Sequence, residues 1–140
     1  MALTEAAFAD TSVLTRLSRS AVANEISQAL SSGRLHICAI VRLELLRTTQ
    51  SRRAWTIARE SLDGIPELAI TPSHWARAEQ VQARLVRASH HTAVPIPDLL
   101  VAAVAEEAGL PVIHYDRDFD LIAAVTGQDC RWVVPRGSID

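Results

Sequence analysis

A chain of 140 residues that is 49% hydrophobic can bury most of its unfolded surface in one domain, and is short for two. Its net charge of -2, from 16 acidic and 14 basic residues, gives no global case for a polyanionic partner. No apolar stretch approaches the ~18 residues of a membrane span. MALTEAAFAD also lacks the basic start and long apolar core of a secretion signal, so a cytoplasmic protein with no membrane contact is expected.

Ala6 to Ala9 reads as a brief buried strand that closes at Asp10 in FADTSVL. Ala21 to Ser31 follows a helical pattern and stops at Gly33. LHICAI, Leu35 to Ile40, is predicted as a second strand. AIVRLELL then puts Glu44 about one helical turn beyond it, among Leu43, Leu45 and Leu46. Ser51 to Leu62, ended by Gly64, is a further helix, and Leu68 to Ile70 a weak third strand.

Trp75, Ala78, Val81, Leu85 and Ala88 repeat at helical spacing, while Arg77, Gln80, Arg84 and Arg87 fall on another face. This predicts an amphipathic helix with a basic outer side. His90 and His91 belong to a solvated turn before Pro95. LLVAAVA, Leu99 to Ala105, is apolar all round and stops at Gly109 before Pro111, the pattern of a helix buried between layers, which Asp98 opens. PVIHY, Pro111 to Tyr115, is the fourth strand and ends at Asp116. A helix through Phe119, Ile122 and Ala123 follows, then a last strand from Arg131 to Val134.

Strands that alternate with helices imply an α/β fold, a parallel sheet covered on both faces. In such sheets sites form beyond the carboxyl ends of the strands, near the switch in strand order. Asp10 and Asp116 share that edge if their strands are neighbours. Residues 42 to 87 carry a balance of +3 and residues 92 to 140 one of -5, and every basic residue is arginine. Cys38 and Cys130 lie far apart in apolar runs, which suits buried free thiols rather than a zinc site or a disulfide framework.

Taken singly, the acids have ordinary explanations. Asp10, Asp98 and Asp118 could cap helices, and Asp120 could sit in a first turn facing the helix dipole. Glu44 is different, because a carboxylate among leucines is costly to bury without a partner. Taken together, two carboxylates ~4 Å apart repel by roughly 4 kcal/mol at an effective dielectric near 20. Several such pairs would cancel much of the roughly 5 to 15 kcal/mol that holds a domain folded. A cluster must therefore be partly protonated or filled by cations. Oxygen donors without histidine or cysteine at metal spacing suit Mg2+ or Mn2+, and a divalent ion of that kind suits phosphodiester hydrolysis.

DTSVL after the first strand, the glutamate of RLELL, PDLLVAAVA and HYDRDFDLIA, in that order over about 110 residues, closely resemble the PIN-domain ribonucleases. The best match among them is the VapC toxins of bacterial toxin-antitoxin pairs, with wording similar to mycobacterial members. The resemblance implies a three-layer α/β/α PIN-like domain with a central parallel sheet, spanning residues 1–140, and an acidic pocket for one or two Mg2+ or Mn2+ ions. It implies an endoribonuclease that cuts a structured RNA such as tRNA or rRNA, is silenced by a cognate VapB antitoxin, and forms a homodimer.

The family's acidic positions fall on Asp10, Glu44, Asp98 and Asp116, with Asp118 as a frequent fifth and Ser12 as a polar contact near the metal. His114 departs from the pattern, since many relatives carry threonine or serine there. It either faces the pocket or packs as a strand histidine. The arginines of the middle helices are candidate RNA-phosphate contacts. Trp55 and Trp75 are expected to pack, and Trp132 to support a subunit contact.

Two other readings compete. A haloacid-dehalogenase-like phosphotransferase would need a second aspartate where Ser12 stands and a lysine that the chain lacks. An inactive PIN-like module would use the fold for protein binding alone. A calcium loop fails, because Leu121 and Gly127 occupy its glycine and twelfth-position carboxylate.

Overall fold

In a computed structural model of the chain, which describes residues 2–90 and 93–139, the first apolar run forms β1 (Ala7–Ala9) with all its residues buried. A short helix α1 (Thr11–Leu14) follows at once, then α2 (Ser20–Ser31), β2 (Leu35–His36), α3 (Ala39–Arg47) and α4 (Arg52–Asp63). The second half holds α5 (Pro72–Arg87), α6 (Ile96–Ala108), β3 (Val112–His114), α7 (Asp118–Thr126) and β4 (Cys130–Trp132).

The strands make one parallel sheet in the order β2-β1-β3-β4. From β1 the chain steps outward to β2 on one side and returns to β3 on the other, so strand order reverses between β1 and β3. That crevice is where an open parallel sheet presents its ligand site. Asp10 and Asp116 leave these two neighbouring strands. Phe8 pairs with Val112 and Ala9 with Ile113, and the Asp10 N–H bonds Ile113 O at 3.0 Å, so the register holds up to the edge.

Helices flank the sheet. α5, α6 and α7 pack on one another, and α3 joins α1, α4 and α6. The buried core runs from Ala7 to Val133 through Phe8, Ile26, Leu35, Leu100 and Phe119. Residues 98–105 of α6 are all buried, which accounts for their apolar composition on every side. Gly109 ends that helix at φ +69°, a left-handed position that other residues adopt at a cost.

Two strand expectations are corrected. LHICAI does not stay extended to Ile40: the strand is Leu35–His36, Cys38 is the N-cap of α3, and Ile40 lies inside that helix. The Cys38 carbonyl accepts the Arg42 N–H at 3.1 Å, so the backbone has entered the helical ladder there and has left the sheet. Leu68 to Ile70 contributes no strand of its own. Ile37 pairs there with Glu67 through a single parallel bridge, closed by Ile37 N–H to Pro66 O at 3.0 Å and Leu68 N–H to Ile37 O at 2.8 Å.

The tryptophans also differ from expectation. Trp55 and Trp75 are 41% and 54% exposed. Trp132 packs internally, with its ring centroid 5.0 Å from His114 and 5.3 Å from Tyr115, and its Nε1–H donates to Asp120. On α5 the outer arginines are not all open to solvent. Arg77 forks onto Glu106 at 2.7 and 3.1 Å, and Arg84 donates to Val125 O at 3.2 Å. His90 is exposed, while His91 lies outside the described residues. No described helix is long and apolar enough to cross a membrane.

Candidate metal centre

Asp10 leaves β1 in extended conformation and caps α1. Its Oδ2 accepts the Ser12 N–H at 3.0 Å and the Ser12 hydroxyl at 2.6 Å. The same hydroxyl oxygen accepts the Tyr115 N–H at 2.9 Å, so Ser12 joins the end of β1 to the end of β3. One turn into α3, Glu44 finds its partner in Thr11, whose hydroxyl donates to Oε1 at 2.8 Å. That bond answers the cost of placing a half-buried carboxylate among leucines.

Asp98 sits in the first turn of α6 but does not cap it. The N-cap is Pro95, with no side-chain bond, and the Asp98 N–H goes to Pro95 O at 3.1 Å. Its side chain therefore serves nothing in the helix. Asp98 is 8% exposed, and its Oδ2 is buried with no hydrogen-bond partner among the described residues. A buried, unpaired carboxylate oxygen costs free energy unless a ligand completes it.

At the end of β3, Asp116 accepts the Asp118 N–H through Oδ1 at 2.9 Å. Asp116 thus performs the local capping, and the Asp118 side chain is released from that task. Asp98, Asp116 and Asp118 each present an oxygen within 4.8 Å of the others. Asp10 and Glu44 stand outside this close trio, and both contribute charge at Asp98.

The electrostatics follow from that crowding. Burial first, then the charges of Asp10, Asp116, Asp118 and Glu44, push the Asp98 carboxyl up to about 8. Burial also raises Asp10, opposed by its bonds from Ser12, and the charge of Glu44 raises it further. Asp118 is raised by burial and by Asp116. A pocket that resists its own ionisation, built from oxygen donors with one buried acceptor left over, fits a hard divalent cation.

His114 does not reach this pocket. It is fully buried in β3, its ring stacked 5.1 Å from Phe119, and its Nδ1 accepts the Asp116 N–H at 3.2 Å. Burial lowers its pKa to about 4, so the ring is neutral at pH 7 and holds the backbone of Asp116 in place. Thr11 and Tyr115, which secure Glu44 and Ser12, have no mark in the sequence. A threonine after a cap and a tyrosine ending a strand are ordinary there, and only the β1–β3 pairing brings Tyr115 to Ser12.

A crevice where the order of parallel strands reverses, with Asp98, Asp116 and Asp118 converging beside it, defines an α/β protein with an acidic cluster at its sheet edge. The PIN domain family model matches residues 7–125, and the chain belongs to the PIN-domain family. Within it the chain groups with the VapC ribonucleases. It is 44% identical over 131 residues to Ribonuclease VapC51 of Mycobacterium tuberculosis, covering 94% of this chain and 95% of that one. Ribonuclease VapC18 of the same organism is 39% identical over 132 residues, covering 93% and 96%.

Solved structures agree on the fold. DNA-bound VapBC from Salmonella typhimurium superposes with a TM-score of 0.75 at 17% identity, covering 94% of this chain and 100% of that one. VapBC-5 from Mycobacterium tuberculosis gives 0.63 at 22% identity, covering 92% and 98%.

Proposed function

We propose that this chain is the toxin of a toxin-antitoxin pair, an endoribonuclease that hydrolyses RNA phosphodiester bonds at a centre for Mg2+ or Mn2+. The observation that carries the reading is the convergence of Asp98, Asp116 and Asp118 around a buried, unpartnered Asp98 oxygen. Asp98, Asp116 and Asp118 would hold the ion directly, with Asp10 and Glu44 facing it from the β1 side. Bound there, the ion supplies positive charge to the phosphate oxygens and acidifies a water for attack.

The protein's own residues do the positioning. Ser12 fixes Asp10 by two bonds, Thr11 orients Glu44, and His114 with the Asp116–Asp118 turn holds the β3 end. Such preorganised ligands lose little freedom when the substrate arrives. The whole of residues 1–140 acts as a single nuclease unit, and a structured RNA such as tRNA or rRNA is the substrate class.

Two exposed apolar surfaces support the partners. A groove of about 680 Å³ between the first helices, lined by Leu14, Leu17, Leu30, Leu45 and Leu62, suits an apolar segment of a VapB-like antitoxin. Trp75 and Ile96, 54% and 59% exposed beside a smaller hollow on α5 and α6, suit a second copy of the chain.

Purified protein freed of antitoxin should cut cellular RNA with magnesium and stop with a chelator. Asp98→Asn should abolish the cleavage. Metal-independent cleavage, or full activity in the variant, would overturn the reading. Mapping the cut ends in cells after induction identifies the RNA.

A further inference from the structure

A second hollow of about 370 Å³ opens directly beside the metal centre and shares Asp118 with it. Its apolar floor is Ala93 and Leu121, and its rim carries His90, Arg117 and Arg136. The volume falls at the small end of ligand sites, roughly 300 to 1,000 Å³.

Two arginines and two carboxylates line this hollow, so its charges balance, and the two signs differ in how they are engaged. Of its two carboxylates, Asp118 faces Asp98 and Asp116, while Asp120 accepts Trp132 Nε1–H through both oxygens at 3.1 and 3.3 Å. The arginines are uncommitted by comparison. Both are exposed, and neither guanidinium forms a hydrogen bond or ion pair among the described residues. This contrasts with Arg77, which is held by Glu106.

Arg136 is placed by a device elsewhere in the chain. The tail turns at Gly137, φ +78°, and is anchored on the Tyr115 hydroxyl, which donates to Ile139 O at 2.7 Å and accepts the N–H groups of Gly137 and Ile139 at 3.0 and 3.3 Å. The Arg136 guanidinium then lies 5.6 Å from the Trp132 ring. Tyr115 is the residue whose N–H reaches Ser12, so one strand end orders the acid centre and the cationic rim together.

We propose that this hollow is a nucleotide subsite: it takes the base and phosphate of the RNA nucleotide next to the bond cut at the metal centre. Arg117 and Arg136 receive the phosphate, and the Ala93–Leu121 floor receives the base. A planar guanidinium suits both contacts, since it forks onto phosphate oxygens and stacks on a base. The inference rests on the ribonuclease reading.

The test measures binding apart from cleavage. A fluorescein-labelled single-stranded RNA is titrated by anisotropy with the full chain in chelator, and in parallel with the Asp98→Asn chain in magnesium. Arg117→Ala and Arg136→Ala should each weaken binding about tenfold and lower the slope of log affinity against log salt by about 0.7. Arg34→Ala, directly before β2 and so at the opposite edge of the parallel sheet from the acids, serves as the charge control and should change the affinity less than twofold. An abasic residue moved along the RNA should weaken binding at one position in the parent chain, and that loss should vanish in Ala93→Glu, whose side chain fills the floor.

Parent-like binding by both variants, or losses no larger than in Arg34→Ala, overturns the subsite. So does a loss of antitoxin binding with RNA binding intact. A parent that binds RNA through Arg117 and Arg136 yet cleaves none defeats the ribonuclease reading, and with it the place of this hollow next to a cut bond, whereas cleavage by the parent with parent-like binding in both variants defeats the subsite alone.

Discussion

Tyr115 donates its backbone N–H to the Ser12 hydroxyl oxygen at 2.9 Å, while that hydroxyl donates to Asp10 at 2.6 Å. The bond spans 103 positions of sequence and fixes the β1 acid relative to the β3 acids. Removing the hydroxyl takes away one of the two bonds on Asp10 and the link to Tyr115, leaves the Ser12 N–H bond, and deletes no carboxylate. Ser12→Ala should weaken manganese binding about tenfold, within the range expected when a ligand loses its supporting bond. Calorimetric titration checks it, and an unchanged affinity would show that Asp10 is held by other means.

The acid cluster makes the metal-free chain less stable in base. Asp98 is raised from its ordinary 3.8 to about 8, so between those values the native state keeps a proton the unfolded chain has lost. Stability therefore falls as pH rises through that window and levels off above it. The chelated protein should melt lower at pH 8.5 than at pH 6, by roughly 4 °C for each ~1 kcal/mol lost in a chain of this size. Asp98→Asn should flatten the decline, and so should saturating magnesium. A decline of equal slope in Asp98→Asn would assign the effect to other groups.

His114 works in the opposite direction. Its pKa is lowered from 6.5 to about 4, so between these values the unfolded chain binds a proton that the native state refuses. Its contribution falls as pH drops from 6.5 to 4 and is constant above. His114→Asn keeps an acceptor for the Asp116 N–H and cannot titrate, although it gives up the stack on Phe119. Wild type should be the more stable at pH 7, and the gap should narrow by pH 4.5. Denaturant melts at the two values measure it, and a constant gap would show that the ring's charge is not the cause.

Arg77 separates structure from RNA binding on α5. Its fork to Glu106 joins α5 to α6, with both side chains partly exposed. A double-mutant cycle of Arg77→Ala and Glu106→Ala should give a coupling of about 0.5 to 1 kcal/mol. Single-stranded RNA affinity should change less than twofold in Arg77→Ala. A large loss of RNA affinity there would return this arginine to the substrate surface.

What could be read in advance was what local chemistry specifies. Gly33, Gly64 and Gly109 marked helix ends, and the apolar wrap of Leu99 to Ala105 marked a helix between layers. Asp10, Asp98, Asp116 and Asp118 could be named in order because each ends a strand or starts a helix, whereas Glu44, inside α3, stood out as a carboxylate among leucines. What escaped depended on partners distant in sequence. Nothing in LHICAI says that the Cys38 carbonyl is taken by Arg42 to start a helix, and nothing in Leu68 to Ile70 limits the pairing to one bridge. Asp118 changes from candidate cap to member of the close trio only because Asp116 takes the capping bond. Trp132 looked like a contact for another subunit because its partners, His114, Tyr115 and Asp120, come from other elements. Arg136 is far from the acids until the Tyr115 hydroxyl draws the tail back.

The strand order has a consequence for how the protein is made. β3 is the seam between β1 and β4, yet it lies more than a hundred residues after β1, and Asp116 and Asp118 follow it. Chains fold from the N-terminus as they leave the ribosome. A nascent chain can thus build its first helices and β2 while two of the three close acids are still unmade. If those acids form the proposed centre, the hazard to the cell's own RNA begins only once β3 and the turn after it have emerged.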